Sequence, residues 1–229
     1  MKPWKKQQWV IPPEQNGDFV AQMEHVLDVY KRPYDPRRPV VCMDESPRQL
    51  IRETRLPLAA GCGRTARYDY EYTRCGVCNV FLAVEPLAGR RTVRITERKT
   101  KTDWAHLLEA LAGQYQRADK ITLVMDNLNT HTPGALYETF APVAAKALWD
   151  RFEFVYTPKH GSWLNMAEIE LNVLIKQCLD RRIDNLDEMH SEVAAWQNRR
   201  NNAQSRIDWQ FTTDDARIKL KRLYPTLKT

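Results

Sequence analysis

Residues 120–127 read KITLVMDN, and residues 39–46 read PVVCMDES. Each stretch is an unbroken apolar run followed by an acidic residue, and such runs are typical of strands buried on both faces of a sheet. Ligand sites in open sheets gather at the carboxyl ends of the central strands. We therefore predict two central strands that end at Asp44 and Asp126. For either acid taken alone, a strand end or the start of a turn is the simpler interpretation.

The residues between these two strands alternate between apolar and polar side chains. Three segments show the alternation: RYDYEYTR at 67–74, CNVFLAVEPL at 78–87 and RTVRITE at 91–97. A period of two predicts strands that bury one face. Because the links between them, RCGVC and LAGR, are short, we predict an antiparallel meander.

Other segments space their apolar residues as a helix does. We predict helices at DFVAQMEHVLDVY, at TDWAHLLEALAGQYQRA with Thr102 or Asp103 as its cap, at APVAAKALWDRF, and from about Leu164 to Leu179. FEFVYTP is predicted as one more short strand. The order predicts an α/β fold with a mixed sheet, an antiparallel meander followed by parallel strands, and helices on both faces.

This order divides the sequence into three regions. We predict an N-terminal arm and linker helix at 1–38, a catalytic domain at 39–185, and a helical extension at 186–229. The extension has a basic edge formed by Arg199, Arg200, Arg217, Lys219, Lys221 and Arg222.

Composition favours a folded protein with polyanionic partners. The chain has 229 residues, of which 43% are hydrophobic, enough for the core of one large domain. Its 35 basic and 29 acidic residues give a net charge of +6, a mild bias towards nucleic acid. No stretch approaches the roughly 18 consecutive apolar residues of a membrane span, and the start, MKPWKKQQWVIPP, lacks the apolar core of a secretory signal. We expect a cytoplasmic protein without a membrane partner.

Glu168 is the third acid that we expect near Asp44 and Asp126. On a helix at about 100° per residue it lies about 40° from Leu164, on the apolar face, whereas Glu170 lies about 160° from Glu168 and should face solvent. Asn165 and Glu168 also form an N-x-x-E pattern close to a capping box, and the sequence alone leaves the cap and the metal ligand equally supported.

The five cysteines do not indicate a metal site or a disulfide framework. Cys75 and Cys78 form a CxxC pair, but no second pair completes the four ligands of a structural zinc site. We interpret the pair as a hairpin turn.

The stretch RRTVRITERKTK at 90–101 is predicted as a track for DNA phosphates along one edge of the sheet. A solvated strand face explains the same charges equally well. The basic residues are Arg90, Arg91, Arg94, Arg98, Lys99 and Lys101.

The segments VVCMDE, LVMDNLNTH and FVYTPKHGSWLNMAEIE, with the tail IDWQFTTDDARIKLKRLYP, resemble the DDE transposases of bacterial insertion sequences related to the Tc/mariner superfamily. The motifs come in the same order, with Asp126 82 positions after Asp44 and Glu168 42 positions after Asp126. Many relatives have a proline-rich PPYSP-type segment before the last acid, where this chain has TPKHGSWLNMAE. Relatives also carry a helix-turn-helix region ahead of the first acid, for which this chain has no room, so we interpret it as a fragment or a split reading frame.

The resemblance implies an RNase H-like fold in which Asp44, Asp126 and Glu168 hold two divalent ions, Mg²⁺ or Mn²⁺, for DNA cleavage and strand transfer. Oxygen ligands without an adjacent histidine or cysteine cluster favour these ions over zinc. Residues that could line the DNA path or orient the ligands are Asn127, His131, His160, Ser162, Trp163 and Asn165, with Arg94 and Arg98 on the basic stretch. Ordinary loop contacts, with Trp163 covering the core, are the alternative for each of them.

The implied partners are double-stranded DNA, as transposon ends and target, and a second copy of the chain or a full-length transposase. The implied location is the nucleoid. An RNase H-like nuclease without strand transfer and an inactive DNA-binding regulator are the alternative functions.

Overall fold

The computed structural model describes residues 14–226, which form one five-stranded sheet covered by helices on both faces. The first 13 residues of the predicted arm lie outside the described residues. The strands are β1 (Val40–Glu53), β2 (Tyr72–Glu85), β3 (Arg90–Thr96), β4 (Ile121–Met125) and β5 (Phe152–Tyr156).

The sheet has the order β3-β2-β1-β4-β5. β1, β2 and β3 pair antiparallel, whereas β4 pairs parallel to both β1 and β5. This arrangement confirms the predicted mixed sheet, a meander followed by parallel strands. β1 and β4 are its central pair, and they carry the two acidic motifs.

Seven α-helices are described between residues 14 and 226. They are α1 (Gly17–Tyr30), α2 (Lys101–Gln114), α3 (Pro133–Thr139), α4 (Pro142–Asp150), α5 (Met166–Leu174), α6 (Leu186–Asn202) and α7 (Thr213–Lys219). A π-helical turn, Ile175–Leu179, extends α5, and a 3₁₀ turn, Ser162–Leu164, precedes it. The sequence prediction had no counterpart for α3.

Each face of the sheet has its own hydrophobic core. On one face α1, α5, α6 and α7 pack around side chains such as Met23, Leu82 and Trp196. On the other face α2, α3 and α4 pack around Trp104, Phe81 and their neighbours. α1 and α6 therefore share a core with the sheet, while the boundaries at residues 38 and 185 remain predictions about sequence regions.

The strands of the meander begin and end at positions that differ from the prediction. β1 does not end at Asp44 but continues to Glu53, because β2 pairs with it antiparallel over this whole length. The segment 67–74 is not a separate strand: β2 begins at Tyr72, and Tyr68 and Tyr70 are exposed.

The interpretation of Cys75 and Cys78 as a hairpin turn is also wrong, since both lie inside β2. Between them Gly76 has a φ of 127°, opposite a register shift at Leu50/Ile51, so the backbone bulges there without turning. The N-cap of α2 is Thr100, with Asp103 completing a capping box, and not Thr102 or Asp103.

Between residues 14 and 226, no helix has the length and apolar character needed to cross a lipid bilayer.

Candidate active site

Asp44 lies on β1 two residues beyond the point where the parallel pairing with β4 stops at Cys42. Alternation along the strand places Asp44 on the same face as Cys42, whose side chain is in the core formed with α5. The carboxylate is half-buried, and its Oδ1 accepts a hydrogen bond from the backbone N–H of Glu45 at 2.8 Å.

Asp126 follows the last residue of β4, Met125, and therefore stands at the carboxyl end of this strand, as predicted. Its side chain is 33% exposed and borders an open cleft of about 570 Å³. The other residues of this cleft are Gln22, Asn127, Leu128, Thr157, Pro158, Lys159, His160 and Ser162. A polyanionic chain can therefore approach Asp126 past Lys159 from solvent.

Glu168 is in the first turn of α5 and is half-buried. α5 begins at the cap residue Asn165, whose side-chain oxygen accepts from the N–H of Ala167 at 3.1 Å. The amide group of Asn165 also donates to the carbonyl oxygen of Met43 at 2.8 Å. Asn165 thus ties the start of α5 to β1 beside Asp44, and no hydrogen bond or ion pair to the Glu168 carboxylate is found among residues 14–226.

The turn ahead of this cap is tight. His160 has a φ of 64°, and a Cβ on Gly161 would lie 2.5 Å from Pro158 Cγ and 2.9 Å from Pro158 O. Only glycine fits at position 161 without displacing Pro158. The turn therefore fixes where the 3₁₀ turn and α5 begin.

The carboxylates of Asp44, Asp126 and Glu168 share one electrostatic environment. Burial raises the pKa of Asp44 from 3.8 to about 7, and the backbone N–H of Glu45 opposes this rise only in part. The charges of three neighbouring carboxylates raise the pKa in the same direction; they belong to Glu45, Asp126 and Glu168. Like charges gathered at a half-buried site are stabilised when a cation neutralises them.

Comparison with known proteins identifies the family to which the chain belongs. A family model described as DDE superfamily endonuclease matches residues 39–190, about two thirds of the chain. The chain belongs to this family. None of the curated proteins compared with it matches.

Solved structures of a mariner transposase share the fold of this DDE-family chain. The Mos1 mariner paired-end complex with Mn has a TM-score of 0.56 and 16% sequence identity, over 87% of this chain and 61% of that chain. The Mos1 strand transfer complex has a TM-score of 0.56 and 15% identity, over 87% and 62%. The mariner Mos1 paired-end complex with Mg has a TM-score of 0.54 and 15% identity, over 96% and 67%. The DDE-family chain therefore spans about three fifths of the length of the first Mos1 chain, and at these identities the likeness shows the RNase H-like fold.

His131, one of the residues that the resemblance implies could line the DNA path or orient the metal ligands, adjoins the acidic cluster. Its Nδ1 lies 2.9 Å from Asp126 Oδ1, and its Nε2 lies 3.5 Å from Glu45 Oε2. Burial lowers the pKa of His131, but the facing carboxyl groups of Asp126 and Glu45 outweigh this effect and raise the pKa above 6.5. Glu45 lies on the opposite face of β1 from Asp44, as alternation along a strand requires, and its contact with His131 was not predicted from the sequence. The only signal in the sequence was the five-residue step from Asp126 to His131 in DNLNTH.

The other loop residues predicted from the resemblance fall into two groups. Asn127, His160 and Ser162 are exposed and line the cleft beside Asp126. Trp163 instead packs on the α5 core and meets Phe211 edge to face, with ring centroids 5.8 Å apart. Asn165 is 1% exposed, and its side chain forms hydrogen bonds with the backbone of β1 and of α5.

The expectation that Glu170 faces solvent is wrong. Its carboxylate is completely buried and pairs with Arg91 on β3 and Arg200 on α6, each at 2.8 Å. The helical periodicity of α5 identified the face towards β1 but could not reveal that α6 and β3 cover the opposite side. Glu170 is not part of the acidic cluster, because Arg91 and Arg200 pair with its carboxylate.

The basic stretch does not form one continuous exposed track. Arg91 is buried, while Lys99 pairs with Glu45 and Lys101 with Glu138. Arg98 is exposed, and the half-buried Arg94 lines a separate cleft against α6 that includes His190. Arg94 lies on the edge strand β3, so the structure does not bring it together with Asp126.

Proposed function

We propose that this chain is the catalytic domain of a DNA transposase, in which Asp44, Asp126 and Glu168 cut and rejoin phosphodiester bonds with divalent metal ions. The observation that carries this proposal is that Asp126 at the end of β4 and Glu168 on α5 lie close enough to Asp44 on β1 for their charges to raise its pKa, in addition to the larger effect of burial. It is supported by membership of the DDE superfamily endonuclease family and by a fold shared with Mos1 paired-end and strand transfer complexes.

The donor set fits Mg²⁺ or Mn²⁺. Carboxylate oxygens are the ligands that these ions prefer, and Asp126 Oδ1 is buried without a hydrogen-bond partner among the described residues. Asp44, Asp126 and Glu168 would hold two ions. When bound, such ions activate a water or a DNA 3′-hydroxyl and stabilise the leaving oxygen of an in-line displacement.

The protein contributes placement and charge. Asn165 fixes α5 against β1, so that Glu168 faces Asp44 from the neighbouring helix. The cleft beside Asp126 is open to solvent and includes Lys159, whose cation would attract a phosphate oxygen of the DNA backbone. His160 and Asn127 line the same cleft and would contact the strand that enters it.

The proposed partner is double-stranded DNA, as transposon ends and as target, and the proposed location is the nucleoid. A second copy of the chain or a full-length transposase would hold the other DNA end. This follows from the Mos1 paired-end complexes that share the fold.

The test is a cleavage assay on supercoiled plasmid with the purified chain, in Mg²⁺ or Mn²⁺, with and without chelator. We expect metal-dependent nicking that Asp44→Asn, Asp126→Asn and Glu168→Gln each abolish. Asp150→Asn, at an exposed surface pair with Lys146, is the matched control and should nick like the wild type. If a purified triad variant still nicks the plasmid, the substituted residue is not part of the catalytic site.

A second substrate distinguishes the alternative functions. A labelled duplex with a free 3′-hydroxyl should become joined to plasmid DNA if the chain is a transposase, because the same centre that hydrolyses can transfer a strand. Hydrolysis without joining would indicate an RNase H-like nuclease. Binding of DNA without either reaction would indicate an inactive regulator.

A further inference from the structure

His131 is a buried polar ring beside the acidic cluster. Its side chain is 1% exposed, and its ring stacks on Trp104 with centroids 5.6 Å apart and an angle of 26° between the planes. The loop around it is closed by two hydrogen bonds: His131 N–H to Leu128 O at 2.9 Å, and Tyr156 OH to His131 O at 3.3 Å. The ring therefore has a defined position, and its two nitrogens must find partners within the protein.

Each ring nitrogen faces a different carboxylate. Nδ1 lies 2.9 Å from Asp126 Oδ1 and 3.2 Å from the carbonyl oxygen of Asp126, whereas Nε2 lies 3.5 Å from Glu45 Oε2. Among the described residues, Asp126 Oδ1, Glu45 Oε2 and His131 Nε2 are buried and have no hydrogen-bond partner. The imidazole thus lies between the two carboxylates, with one ring nitrogen facing each of them.

Glu45 is held from its other side as well. Its second oxygen, Oε1, pairs with Lys99 Nζ at 2.9 Å, and the Glu45 side chain is only 2% exposed. A buried carboxylate is stable when cationic and hydrogen-bonding groups surround it. Glu45 therefore provides a fixed support for His131 on the face of β1 opposite Asp44.

A metal ion held directly by these residues is the competing explanation, because ligand atoms of Glu45, Asp126 and His131 all lie within 4.8 Å of one another. The geometry favours an imidazole that contacts both carboxylates. The two carboxylates face opposite nitrogens of one ring, so an ion bound to either nitrogen would have only one of the two carboxylates in front of it. The short 2.9 Å contact to Asp126 leaves Nδ1 pointed at the carboxylate and its backbone.

We infer that His131 is a positioning residue which, supported by Glu45, fixes the orientation of the Asp126 carboxylate for metal binding. This inference rests on the proposed function, because it takes Asp126 as a ligand. Groups that orient a metal ligand change metal affinity 10–100-fold when they are removed. The same effect is expected here before any DNA is bound.

The experiment measures Mn²⁺ binding to the DNA-free full chain from the electron paramagnetic resonance signal of free Mn²⁺. His131→Phe keeps an aromatic ring against Trp104 but removes both nitrogens, and we expect it to raise the Kd for Mn²⁺ about tenfold or more. His131→Asn can return a donor to the Nδ1 position, and its Kd should stay within about threefold of the wild type. Glu45→Gln should raise the Kd by an intermediate factor.

His106→Gln is the matched control, because the His106 side chain is 38% exposed, pairs with the exposed Glu109 and takes no part in the acidic cluster, and this variant should bind Mn²⁺ like the wild type. Thermal unfolding in chelator shows whether each variant is folded. A folded His131→Phe protein with wild-type Mn²⁺ affinity would overturn the inference. Hyperfine coupling between bound Mn²⁺ and an imidazole nitrogen of His131 would also overturn it, by making His131 a ligand.

Asp126→Asn separates this inference from the proposed function. If the wild type binds Mn²⁺ and Asp126→Asn does not, the metal centre stands and the His131 variants test its positioning. If Asp126→Asn binds Mn²⁺ like the wild type, the metal centre itself is refuted, whatever the His131 variants do.

Discussion

Arg91 on β3 and Glu170 on α5 form an ion pair that solvent does not reach. Arg91 Nε lies 2.8 Å from Glu170 Oε1, and the two side chains are 0% and 1% exposed. Arg200 on α6 approaches the same carboxylate, with Nε at 2.8 Å from Oε1. Three elements thus meet at one buried charge, two residues along α5 from Glu168.

We predict that Glu170→Gln lowers the free energy of unfolding by about 3–5 kcal/mol, because it leaves the buried guanidinium group of Arg91 and the partly buried one of Arg200 without their carboxylate. Urea denaturation at pH 7.5 measures the change. Arg217→Gln is the control, since its pair with Glu24 is 57% exposed on the arginine side and should cost no more than about 1 kcal/mol. Equal denaturation midpoints for Glu170→Gln and the wild type would contradict the prediction.

The ion pairs of Glu170 show which kind of contact cannot be predicted from the sequence alone. Apolar runs and their terminal acids predicted the central strands β1 and β4 and the position of Asp126 at the end of β4, because a strand buried on both faces has a simple pattern. The burial of Glu170 could not be predicted, since its partners are 79 and 30 residues away and only packing brings them together.

The errors at strand ends have the same origin. β1 extends to Glu53 through a mostly polar segment because β2 forms backbone hydrogen bonds with it along this length. The residue pattern of one strand does not show which strand pairs with it. Cys75 and Cys78 were interpreted as a turn because they lie in the short segment RCGVC and lack a second cysteine pair for zinc, whereas Gly76 between them allows a bulge inside β2.

The pair of Arg32 and Glu153 predicts a pH dependence of stability. Two hydrogen bonds from Arg32, both at 3.1 Å, lower the pKa of Glu153 from 4.5 to about 2, and Thr122 adds a third hydrogen bond. Because the folded-state pKa is lower than the unfolded one, this stabilisation is present above about pH 4.5 and is lost as the pH falls towards 2.

Glu153→Gln should therefore cost about 1–2 kcal/mol at pH 7, a value reduced for the partial exposure of both side chains. The difference from the wild type should shrink between pH 4.5 and pH 3 in urea denaturation series. A difference that is constant over this range would mean that the ionised pair is not its source.

Asn165 predicts a link between helix capping and the site. Asn165→Ala removes the cap of α5 and the donor to Met43 O, and we expect a loss of about 2–4 kcal/mol of stability from the two effects together. Mn²⁺ affinity should fall as well, because Glu168 is no longer held against β1. Asn185→Ala removes the exposed cap of α6 and a hydrogen bond to Asp184, neither of which involves the acidic cluster, so we expect a loss of about 0.5–2 kcal/mol and unchanged Mn²⁺ affinity. Similar Mn²⁺ affinities in Asn165→Ala and Asn185→Ala would show that the cap of α5 does not influence the metal centre.

Asp44→Asn should stabilise the metal-free protein while removing its response to metal. Burial and neighbouring carboxylates raise the folded-state pKa of Asp44 to about 7, well above the unfolded value, so its ionisation destabilises the fold as the pH rises from about 4 to 7. In chelator, the variant should exceed the wild type in unfolding free energy by an amount that grows by roughly 1–3 kcal/mol between pH 5 and pH 8. Added Mg²⁺ at pH 8 should raise the stability of the wild type, because a ligand that binds only the folded state stabilises it, and should leave the variant nearly unchanged. A variant that is less stable than the wild type in chelator at pH 8 would mean that the three carboxylates do not repel one another at this site.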